Sequence, residues 1–182
     1  MIKIFDATPD DAEEILEIYS PYVRDTAISF ECEVPTLEEF RGRITNTLKK
    51  FPYLKAVNNN EIIGYSYAGE FKPRKAYEIS CEVSIYVKKD FRGNGTGRLL
   101  YQVLEEKLKA QGILNMYACV AYPDKEDEYL TLNSFNFHEH LGFKPVGHFT
   151  NCAHKFGRFY SMVWFEKQVG NRKQEKIYGG KK

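Results

Sequence analysis

The sequence predicts one mixed domain, α/β or α+β in class, and three observations lead to that prediction. Its 182 residues are enough for one domain and too few for two of ordinary size. Segments with strand-like and helix-like patterns alternate along the chain, and the sequence contains no internal repeat. Aromatic residues make up 15% of the chain, and such side chains suit the pleated surface of a sheet.

The first third of the chain predicts a short strand followed by two amphipathic helices. Residues 2–5 have the composition of a strand. Thr8 is suited to cap the first helix, along which apolar residues recur at helical spacing between positions 12 and 22. Thr36 and Glu39 form the sequence pattern of a capping box, so a second helix is expected to begin there.

The later elements are mostly strands. Between positions 79 and 87 apolar and polar residues alternate strictly, which is typical of a strand with one apolar face. A glycine-rich turn follows and leads into a helix that is expected to end at Ala110, before Gly112. Further strands are predicted at residues 53–57, 61–68, 113–121, 144–149 and 158–166, and a short helix at residues 133–141.

Composition and motif content argue against several classes of function. The 26 Lys and Arg residues nearly balance the 25 Asp and Glu residues, so the net charge of +1 gives no general attraction to nucleic acid or anionic membranes. No apolar run reaches the ~20 residues of a membrane helix, and the N-terminus has no signal-peptide pattern. The four cysteines lack the spacing of a zinc site, so no metal is expected. The sequence therefore predicts a reduced, cytoplasmic protein.

The run RGNGTG, at residues 92–97, lies between a predicted strand and a predicted helix. A glycine-rich turn at a helix N-terminus directs several main-chain N–H groups and the positive end of the helix dipole to one point. It therefore favours an anion such as phosphate. The spacing matches neither a P-loop nor a dinucleotide-binding motif. A loop whose glycines serve only the turn is the alternative interpretation.

The segment VSIYVKKDFRGNGTGRLL resembles the acyl-CoA-binding motif of the GNAT acetyltransferases. Arg92, Gly95 and Gly97 match its pattern Arg/Gln-x-x-Gly-x-Gly/Ala. Further stretches resemble the phosphinothricin N-acetyltransferase branch: IYSPYVRDTAISFE, GYSYAGEFKPRKAY, CEVSIYV, FHEHLGF and KFGRFY. The resemblance implies a domain over residues 1–168, with a mixed, mostly antiparallel sheet of about seven strands, splayed central strands and about four helices. Residues 169–182 are expected to form a disordered basic tail.

The resemblance also implies acetyl-CoA as the cosubstrate. In the family the pantetheine arm pairs with the main chain of the strand before the loop, here Ile85, Tyr86 and Val87. The pyrophosphate is expected on the loop, where two arginines either add charge or are ordinary surface residues. The loop residues are Arg92, Gly93, Asn94, Gly95, Thr96, Gly97 and Arg98. A family asparagine that contacts the cofactor falls at Thr131, and Asn133 is the nearby candidate to replace it.

Acetylation of an amine requires removal of a proton from the ammonium group and stabilisation of the leaving thiolate. Glu82 is the candidate base, because it stands on the polar face of the strand expected to carry the cofactor and the resembling branch has a glutamate here. His138, which the branch has where other members have a tyrosine near the cofactor sulfur, is the candidate to donate to the thiolate or to help relay a proton. The alternatives are a structural ion pair or an exposed face for Glu82, and a satisfied structural histidine for His138.

The resemblance implies that the acceptor is the amine of a small amino-acid-like molecule, of the phosphinothricin or methionine sulfoximine type. Transfer is expected to be direct, in a ternary complex. The branch binds its acceptor with the segment between the two central strands and with an early turn, here Lys72, Arg74, Tyr77 and Phe30. The two cations suit an acidic group, and ordinary loop residues are the alternative. A homodimer is also expected. Another amine acceptor, or an acyl-CoA-binding module without catalysis, is the alternative function.

Overall fold

One seven-stranded sheet forms the centre of the protein in the computed structural model, which describes residues 1–171. Its strands are β1 (Lys3–Asp6), β2 (Tyr53–Asn58), β3 (Glu61–Glu70), β4 (Ser80–Val87), β5 (Asn115–Tyr122), β6 (Lys144–Lys155) and β7 (Arg158–Gln168). The α-helices within the described residues are α1 (Ala12–Asp25), α2 (Leu37–Leu48), α3 (Thr96–Ala110) and α4 (Asn133–His140). None of these helices is long and apolar enough to cross a membrane.

The sheet is mixed and mostly antiparallel, as the resemblance predicts. Its strand order is β1-β2-β3-β4-β5-β7-β6, and among these strands the central pair β4–β5 is the one that runs parallel. That pairing covers three residue pairs, from Ser80 with Asn115 to Glu82 with Tyr117. Beyond Glu82 the two strands diverge, so a cleft opens in the middle of the sheet. The predicted architecture, including the splayed central strands, is confirmed.

Helices cover both faces of the sheet because alternate residues of each strand point to opposite sides. On one face Val83 of β4 packs in a core with Leu100 and Leu104 of α3. On the other face Tyr65 and Tyr86 pack with residues of α1 and α2. The two layers bury both faces of the central strands, and this burial fixes the strands that form the cleft.

Four tyrosines stack across β2, β3 and β4 on the face covered by α1 and α2. The ring centroids of Tyr53 and Tyr65 are 5.7 Å apart, those of Tyr53 and Tyr67 are 4.9 Å apart, and those of Tyr65 and Tyr86 are 5.3 Å apart. Cross-strand aromatic pairs of this kind stabilise a sheet beyond the apolar area that they bury. Part of the high aromatic content of the sequence therefore serves to build the sheet.

The last hairpin is longer than the sequence indicates. The sequence predicts a strand at residues 144–149, whereas β6 continues to Lys155. A bulge between Phe149 and Ala153 interrupts the pairing with β7, which resumes and ends with Lys155 opposite Arg158. The bulge breaks the alternation of apolar and polar residues, so the second half of β6 has no strand pattern in the sequence.

The hydrogen-bonded chain also continues past the predicted domain boundary at residue 168. The N–H groups of Val169 and Gly170 both donate to the carbonyl oxygen of Leu114, at 2.9 and 3.2 Å. These bonds fasten the chain after β7 to the residue that precedes β5. Most of the tail predicted for residues 169–182 lies outside the described residues.

The start of α3 lies close to α4, and a glycine allows that approach. A Cβ atom on Gly97 would lie 2.9 Å from Cζ of Phe137, closer than real Cβ contacts come. Any side chain at position 97 therefore forces the Phe137 ring or α4 to move. By contrast Gly42, in α2, has open space where its Cβ atom would be.

Gly97→Ala should lower the free energy of unfolding by roughly 1–3 kcal/mol, the usual cost of overpacking. This loss runs against helix propensity, which favours alanine over glycine by about 1 kcal/mol. Gly42→Ala is the matched control and should stabilise the protein, because nothing there opposes the gain in propensity. Urea unfolding of the two variants and the parent is the measurement.

The contact itself is tested by repeating Gly97→Ala in a Phe137→Leu background. The smaller side chain leaves room for the new methyl group, so the cost of Gly97→Ala should shrink. An equal cost in both backgrounds would show that the Phe137 ring is not the reason for glycine at this position.

Candidate active site

A cleft of about 510 Å³ lies beside β4, past the point where β4 and β5 diverge. The end of α1 and the loop after it form one wall, α4 forms the other, and the glycine loop before α3 lies at one end. Its lining residues are Tyr22, Ile28, Ile85, Val87, Phe91, Arg92, Gly93, Gly97, Asn133, Ser134 and Phe137. More than half of the predicted cofactor residues are therefore brought to one cavity.

The main-chain groups of β4 point alternately to β3 and to the cleft. Lys88 donates its N–H to the Ile63 carbonyl of β3 at 2.8 Å, which fixes the main chain of Lys88 and of Tyr86 on the β3 side. The main-chain groups of Ile85 and Val87 therefore point toward the cleft. Tyr86 differs from the expectation, because its main chain pairs within the sheet rather than facing a cofactor.

The main chain of Val87 already has a partner, the hydroxyl group of Tyr22 on α1. That hydroxyl donates to the Val87 carbonyl at 2.6 Å and accepts from the Val87 N–H at 3.0 Å. Of the three strand residues expected to pair with pantetheine, Ile85 is left with main-chain groups that face the open cleft. Helical spacing assigns Tyr22 to the buried face of α1, and the position of its hydroxyl cannot be read from that spacing.

The glycine loop leads into α3 through a left-handed residue, Gly95, whose φ is 89°. The side-chain oxygen of Asn94 accepts hydrogen bonds from the Thr96 N–H at 3.3 Å and from the Thr96 hydroxyl at 2.6 Å. Thr96 is buried, and its amide is engaged in this turn. The first-turn amides of Gly97 and Arg98 have no carbonyl partner within the helix, so they remain to bind an anion.

The two arginines of the loop have different positions. The Arg92 guanidinium lies 4.9 Å from the centroid of the Tyr22 ring, and its Nε donates to the Val87 carbonyl at 3.4 Å. These contacts hold Arg92 at the cleft. The Arg98 side chain is exposed and borders a separate groove between α3 and α4. The structure thus brings Arg92, but not the side chain of Arg98, to the predicted phosphate site.

The position of the family asparagine is ambiguous in the sequence because an acidic segment precedes α4. Asn133 is the first residue of α4 and lines the cleft. Thr131 is exposed, and its hydroxyl oxygen accepts from the Asn133 N–H at 3.4 Å. Of the two candidates, Asn133 is the one that the structure brings to the cleft.

Glu82 belongs to the last residue pair that joins β4 to β5, at the apex of the gap between these strands, and it is not among the residues that line the cleft or the smaller cavity behind it. Its side chain is half-buried. Burial raises the pKa of Glu82 above its ordinary value, and the ammonium group of Lys72 opposes part of that rise. A carboxylate with a raised pKa is a stronger proton acceptor than an exposed one, so this position suits a general base.

Aromatic rings hold Lys72 on the same side of the sheet as Glu82. The Lys72 Nζ lies 5.2 Å from the centroid of the Phe71 ring and 5.8 Å from that of Trp164, within range of cation–π attraction. Phe71 in turn stacks on Tyr117, the β5 partner of Glu82, with ring centroids 4.2 Å apart. Lys72 is exposed, and these ring contacts favour a position of its charge beside the apex, where it acts on the Glu82 carboxyl group.

The other predicted acceptor residues are spread over two places. Tyr77 meets the edge of the Phe71 ring at 5.8 Å and so belongs to the aromatic group around Lys72. Arg74 is exposed in the loop between β3 and β4. Phe30 packs instead against a separate cluster that includes Ala121. The structure brings Lys72 and Tyr77 together and leaves Phe30 apart from them.

His138 is buried on α4, with 4% of its surface exposed. Its Nδ1 donates to the Ser134 carbonyl at 2.7 Å, since a carbonyl can only accept. In the neutral ring Nε2 then carries no proton and accepts from the Tyr101 hydroxyl at 3.2 Å. Burial lowers the pKa of His138 to about 4, so the ring is neutral near pH 7. This arrangement differs from the expected direct donation to a thiolate, because no N–H of the ring faces the cleft.

Tyr101, on α3, lines a smaller cavity that continues the cleft between β4 and β5. His138 lines the same cavity, so the two side chains form one hydrogen-bonded pair next to the strands. Tyr101 lies between Leu100 and Leu104 on the buried stripe of α3. Helical spacing predicts a core position for such a residue. It gives no indication that the Tyr101 hydroxyl belongs to the site.

Comparisons with known proteins identify the family. Residues 4–164 match the acetyltransferase (GNAT) domain family. Phosphinothricin N-acetyltransferase from Streptomyces coelicolor is 30% identical over 172 residues, which cover 92% of this chain and 96% of that protein. The L-methionine sulfoximine/L-methionine sulfone acetyltransferase from Pseudomonas aeruginosa is 32% identical over 166 residues, which cover 90% of this chain and 92% of that protein.

Solved structures agree as well. A GNAT superfamily phosphinothricin acetyltransferase from Sinorhizobium meliloti, in complex with acetyl-CoA, is similar with a TM-score of 0.85 and 27% identity. The match covers 98% of this chain and 96% of that one. The resemblance found in the glycine-loop motif is therefore confirmed over nearly the whole chain. The chain belongs to the GNAT acetyltransferase family.

Proposed function

We propose that this acetyltransferase transfers the acetyl group of acetyl-CoA to the amine of a small amino-acid-like acceptor, of the phosphinothricin or methionine sulfoximine type. The names of the similar proteins from S. coelicolor and P. aeruginosa support this class of acceptor. The acetyl-CoA complex of the similar S. meliloti protein supports the donor. The observation that carries the proposal is the half-buried carboxylate of Glu82 at the apex of the gap between β4 and β5.

The donor would lie along the cleft, with its pantetheine amides paired to the main chain of Ile85. Its pyrophosphate would accept hydrogen bonds from the amides of Gly97 and Arg98 at the positive end of α3. Arg92, which the Tyr22 ring holds at the cleft, adds a positive charge for the phosphates. This orientation directs the thioester toward the apex, where Glu82 stands.

The reaction needs a neutral amine, because an ammonium group has no lone pair with which to attack. Glu82 accepts a proton from the ammonium group of the acceptor. The nitrogen then attacks the thioester carbonyl carbon, the C–S bond breaks, and the bonding pair leaves on sulfur as the thiolate of coenzyme A. The nitrogen, which is positively charged after the attack, loses a second proton to solvent, and the thiolate takes up one proton. The products are the amide, the free thiol and one proton, which Glu82 returns to solvent.

Tyr101 and His138 would act on the leaving sulfur as a pair. The Tyr101 hydroxyl lines the cavity between the strands, and its single proton, which His138 Nε2 accepts in this structure, would turn toward the sulfur to donate to a thiolate. His138 holds that hydroxyl through its Nε2 and is itself held by the Ser134 carbonyl. In this proposal His138 is a positioning residue and Tyr101 is the donor.

Direct transfer from acetyl-CoA to the amine is favoured over an acyl-enzyme. Two thiols lie near the apex, that of Cys81 on β4, whose pKa desolvation raises to about 12, and that of Cys119 on β5. Desolvation, together with the Glu82 carboxylate, raises the pKa of Cys119 to about 12. A thiol with so high a pKa is almost wholly protonated near pH 7 and is a poor nucleophile. Glu82 therefore serves the acceptor amine rather than a cysteine.

The acceptor would reach the apex from the sheet face that carries Lys72. An amino acid presents a carboxylate a short distance from its amine, and the Lys72 ammonium offers the opposite charge beside Glu82. The rings of Phe71, Tyr77 and Trp164 around Lys72 offer apolar surface for a side chain. One cation and several rings suit an amino acid with a mostly apolar side chain.

We also propose that the enzyme works in the cytoplasm as a homodimer. The four cysteines are all free thiols, as is usual in a reducing compartment. Large apolar side chains are exposed on the last hairpin, with 51% of Val146, 50% of Phe149 and 67% of Phe159 accessible. Three exposed apolar side chains on one hairpin support a surface that another subunit covers.

Glu82→Gln should lower kcat by ~10²–10⁴, the usual contribution of a positioned general base. Glutamine keeps the size of the side chain but cannot accept the proton. Acetyl-CoA affinity, measured by calorimetry, should stay near the parental value, because the cleft and the glycine loop are unchanged. The rate of the variant should recover as the pH rises toward the pKa of the acceptor amine, since solvent then removes the proton.

Glu70→Gln is the matched control, because Glu70 is an exposed carboxylate at the end of the neighbouring strand β3. It should keep parental rates and a parental pH profile. A well-folded Glu82→Gln enzyme with parental kcat at neutral pH would refute the assignment of Glu82 as the base.

The neutral state of His138 predicts a particular dependence of stability on pH. The pKa of His138 is about 4 in the folded protein against 6.5 for an unperturbed histidine, so the unfolded chain binds more protons between these values. The stability contributed by His138 is fully present above pH 6.5 and is lost as the pH falls toward 4. Between pH 7 and pH 5 this loss should reach about 2 kcal/mol.

Urea unfolding at the two pH values measures the effect. His138→Gln removes the titrating group, so its free energy of unfolding should fall by about 2 kcal/mol less than that of the parent over this range. His140→Gln, at an exposed position of the same helix, should keep the parental dependence. The same pH dependence in His138→Gln as in the parent would show that His138 is not held neutral.

A panel of amines tests the acceptor class and the role of Lys72 together. Phosphinothricin and methionine sulfoximine should be acetylated faster than the amines that lack their carboxyl group. Lys72→Met should raise KM for the amino acids by roughly tenfold, the loss of one charged contact, and leave KM for the decarboxylated amines unchanged. Release of free thiol from acetyl-CoA is the assay. Equal rates for acid and amine in the parent enzyme would contradict the assignment of Lys72.

A further inference from the structure

Lys155, the last residue of β6, is buried although it is charged, with 5% of its surface exposed. Its Nζ donates to the carbonyl oxygens of Val23 at 2.8 Å, Thr26 at 2.9 Å and Ser29 at 2.6 Å. An ammonium group has three N–H donors, so all of them are used. A charge is stable away from water only when it is fully hydrogen-bonded, so this environment is specific for an ammonium group.

The three carbonyl groups belong to the end of α1 and to the loop after it. The Val23 carbonyl lies in the last turn of α1, where carbonyl groups have no partner within the helix and carry the negative end of its dipole. Thr26 and Ser29 flank Ile28, which lines both the cleft and the smaller cavity behind it. Lys155 therefore fixes the main chain on both sides of a residue that forms the cleft wall.

The same hairpin reaches the opposite wall through Arg158, the first residue of β7. The Arg158 guanidinium forms ion pairs with Asp127 and Glu128, each at 2.8 Å. Both carboxylates lie in the acidic segment that precedes α4, the second wall of the cleft. The N–H of Ala27 also donates to the Tyr129 carbonyl at 3.0 Å, so the two walls are joined directly under the tip of the hairpin.

We propose that Lys155 is a positioning residue for the acetyl-CoA cleft: its ammonium group holds the loop after α1 and so sets the width of the cleft at Ile28. Arg158 supports the other wall from the same hairpin. Its ion pairs give the acidic segment a structural role, since none of the proposed catalytic steps uses that segment. Lys155 touches no reacting atom and acts through the loop alone. The inference rests on the proposed function only in naming acetyl-CoA as the occupant of the cleft.

Lys155→Met removes the ammonium group and keeps a side chain of similar shape. The Kd for acetyl-CoA, measured by calorimetry without an acceptor, should rise roughly 2- to 30-fold, the range for residues that act on a site through packed neighbours. The kcat at saturating acetyl-CoA should change less, because Glu82 stands on the sheet and not on the loop. Hydrogen exchange should rise at residues 26–31 and stay parental in α3.

Lys144→Met is the matched control, because Lys144 is an exposed lysine at the other end of β6. It should leave Kd and exchange at their parental values. Lys155→Gln keeps two N–H donors and should give a smaller rise in Kd than Lys155→Met. If Lys155→Met does not fold, Lys155→Gln is measured in its place and a rise in Kd above the parental value is still required.

A folded Lys155 variant with parental Kd and parental exchange at residues 26–31 would overturn the proposal. A uniform rise in exchange over the whole protein with parental Kd would also overturn it, because that result indicates a general contribution to stability. The binding measurement needs no acceptor, so failure to find an acetylated amine would contradict the proposed function without affecting this test. Absence of acetyl-CoA binding by the parent would contradict the proposed function itself.

Discussion

The short pairing between β4 and β5 is the constraint on which the rest of the site depends. Main-chain N–H and carbonyl groups in the interior of a protein need hydrogen-bond partners. After Glu82 and Tyr117 the two strands no longer supply them to each other. The groups of Ile85 that face the cleft therefore lie in the middle of a sheet with room for a third chain beside them. A ligand that carries amide groups in a row can pair with them much as a peptide adds to a sheet edge.

The same divergence sets the electrostatics of the site. Glu82 stands where the strands are still close, and burial raises its pKa. His138 lines the smaller cavity that continues the cleft, and burial lowers its pKa to about 4. Desolvation therefore moves the carboxyl group and the imidazole in opposite directions, each toward its uncharged form. The positive charge beside the apex is that of Lys72, which contacts aromatic rings on the side from which an acceptor would approach.

The sequence was informative wherever function depends on local pattern. The alternation at residues 79–87 predicted β4, the capping pattern at Thr36 predicted α2, and the glycine spacing predicted the entry to α3. It was silent where function depends on contacts between distant residues. Tyr22 and Val87 are 65 positions apart, and Lys155 and Val23 are 132 apart. Hydrophobic spacing does not reveal a hydroxyl group at the end of a side chain on the buried face of a helix. The spacing therefore predicts Tyr22 and Tyr101 as core residues.

The hydrogen bonds from Tyr22 to Val87 have a consequence for alignment. A chain that pairs with β4 along the cleft can use the main-chain groups of Ile85, which face the cleft. The next such groups, those of Val87, are already hydrogen-bonded to the Tyr22 hydroxyl. A chain of amide groups that pairs with Ile85 would meet the Tyr22 hydroxyl at Val87, and its pairing with β4 would end there. That contact would limit the register in which the chain can bind. The distance along β4 from Ile85 to Glu82 is fixed by the covalent geometry of the strand. The sheet therefore sets how far from Glu82 the groups paired with Ile85 would lie.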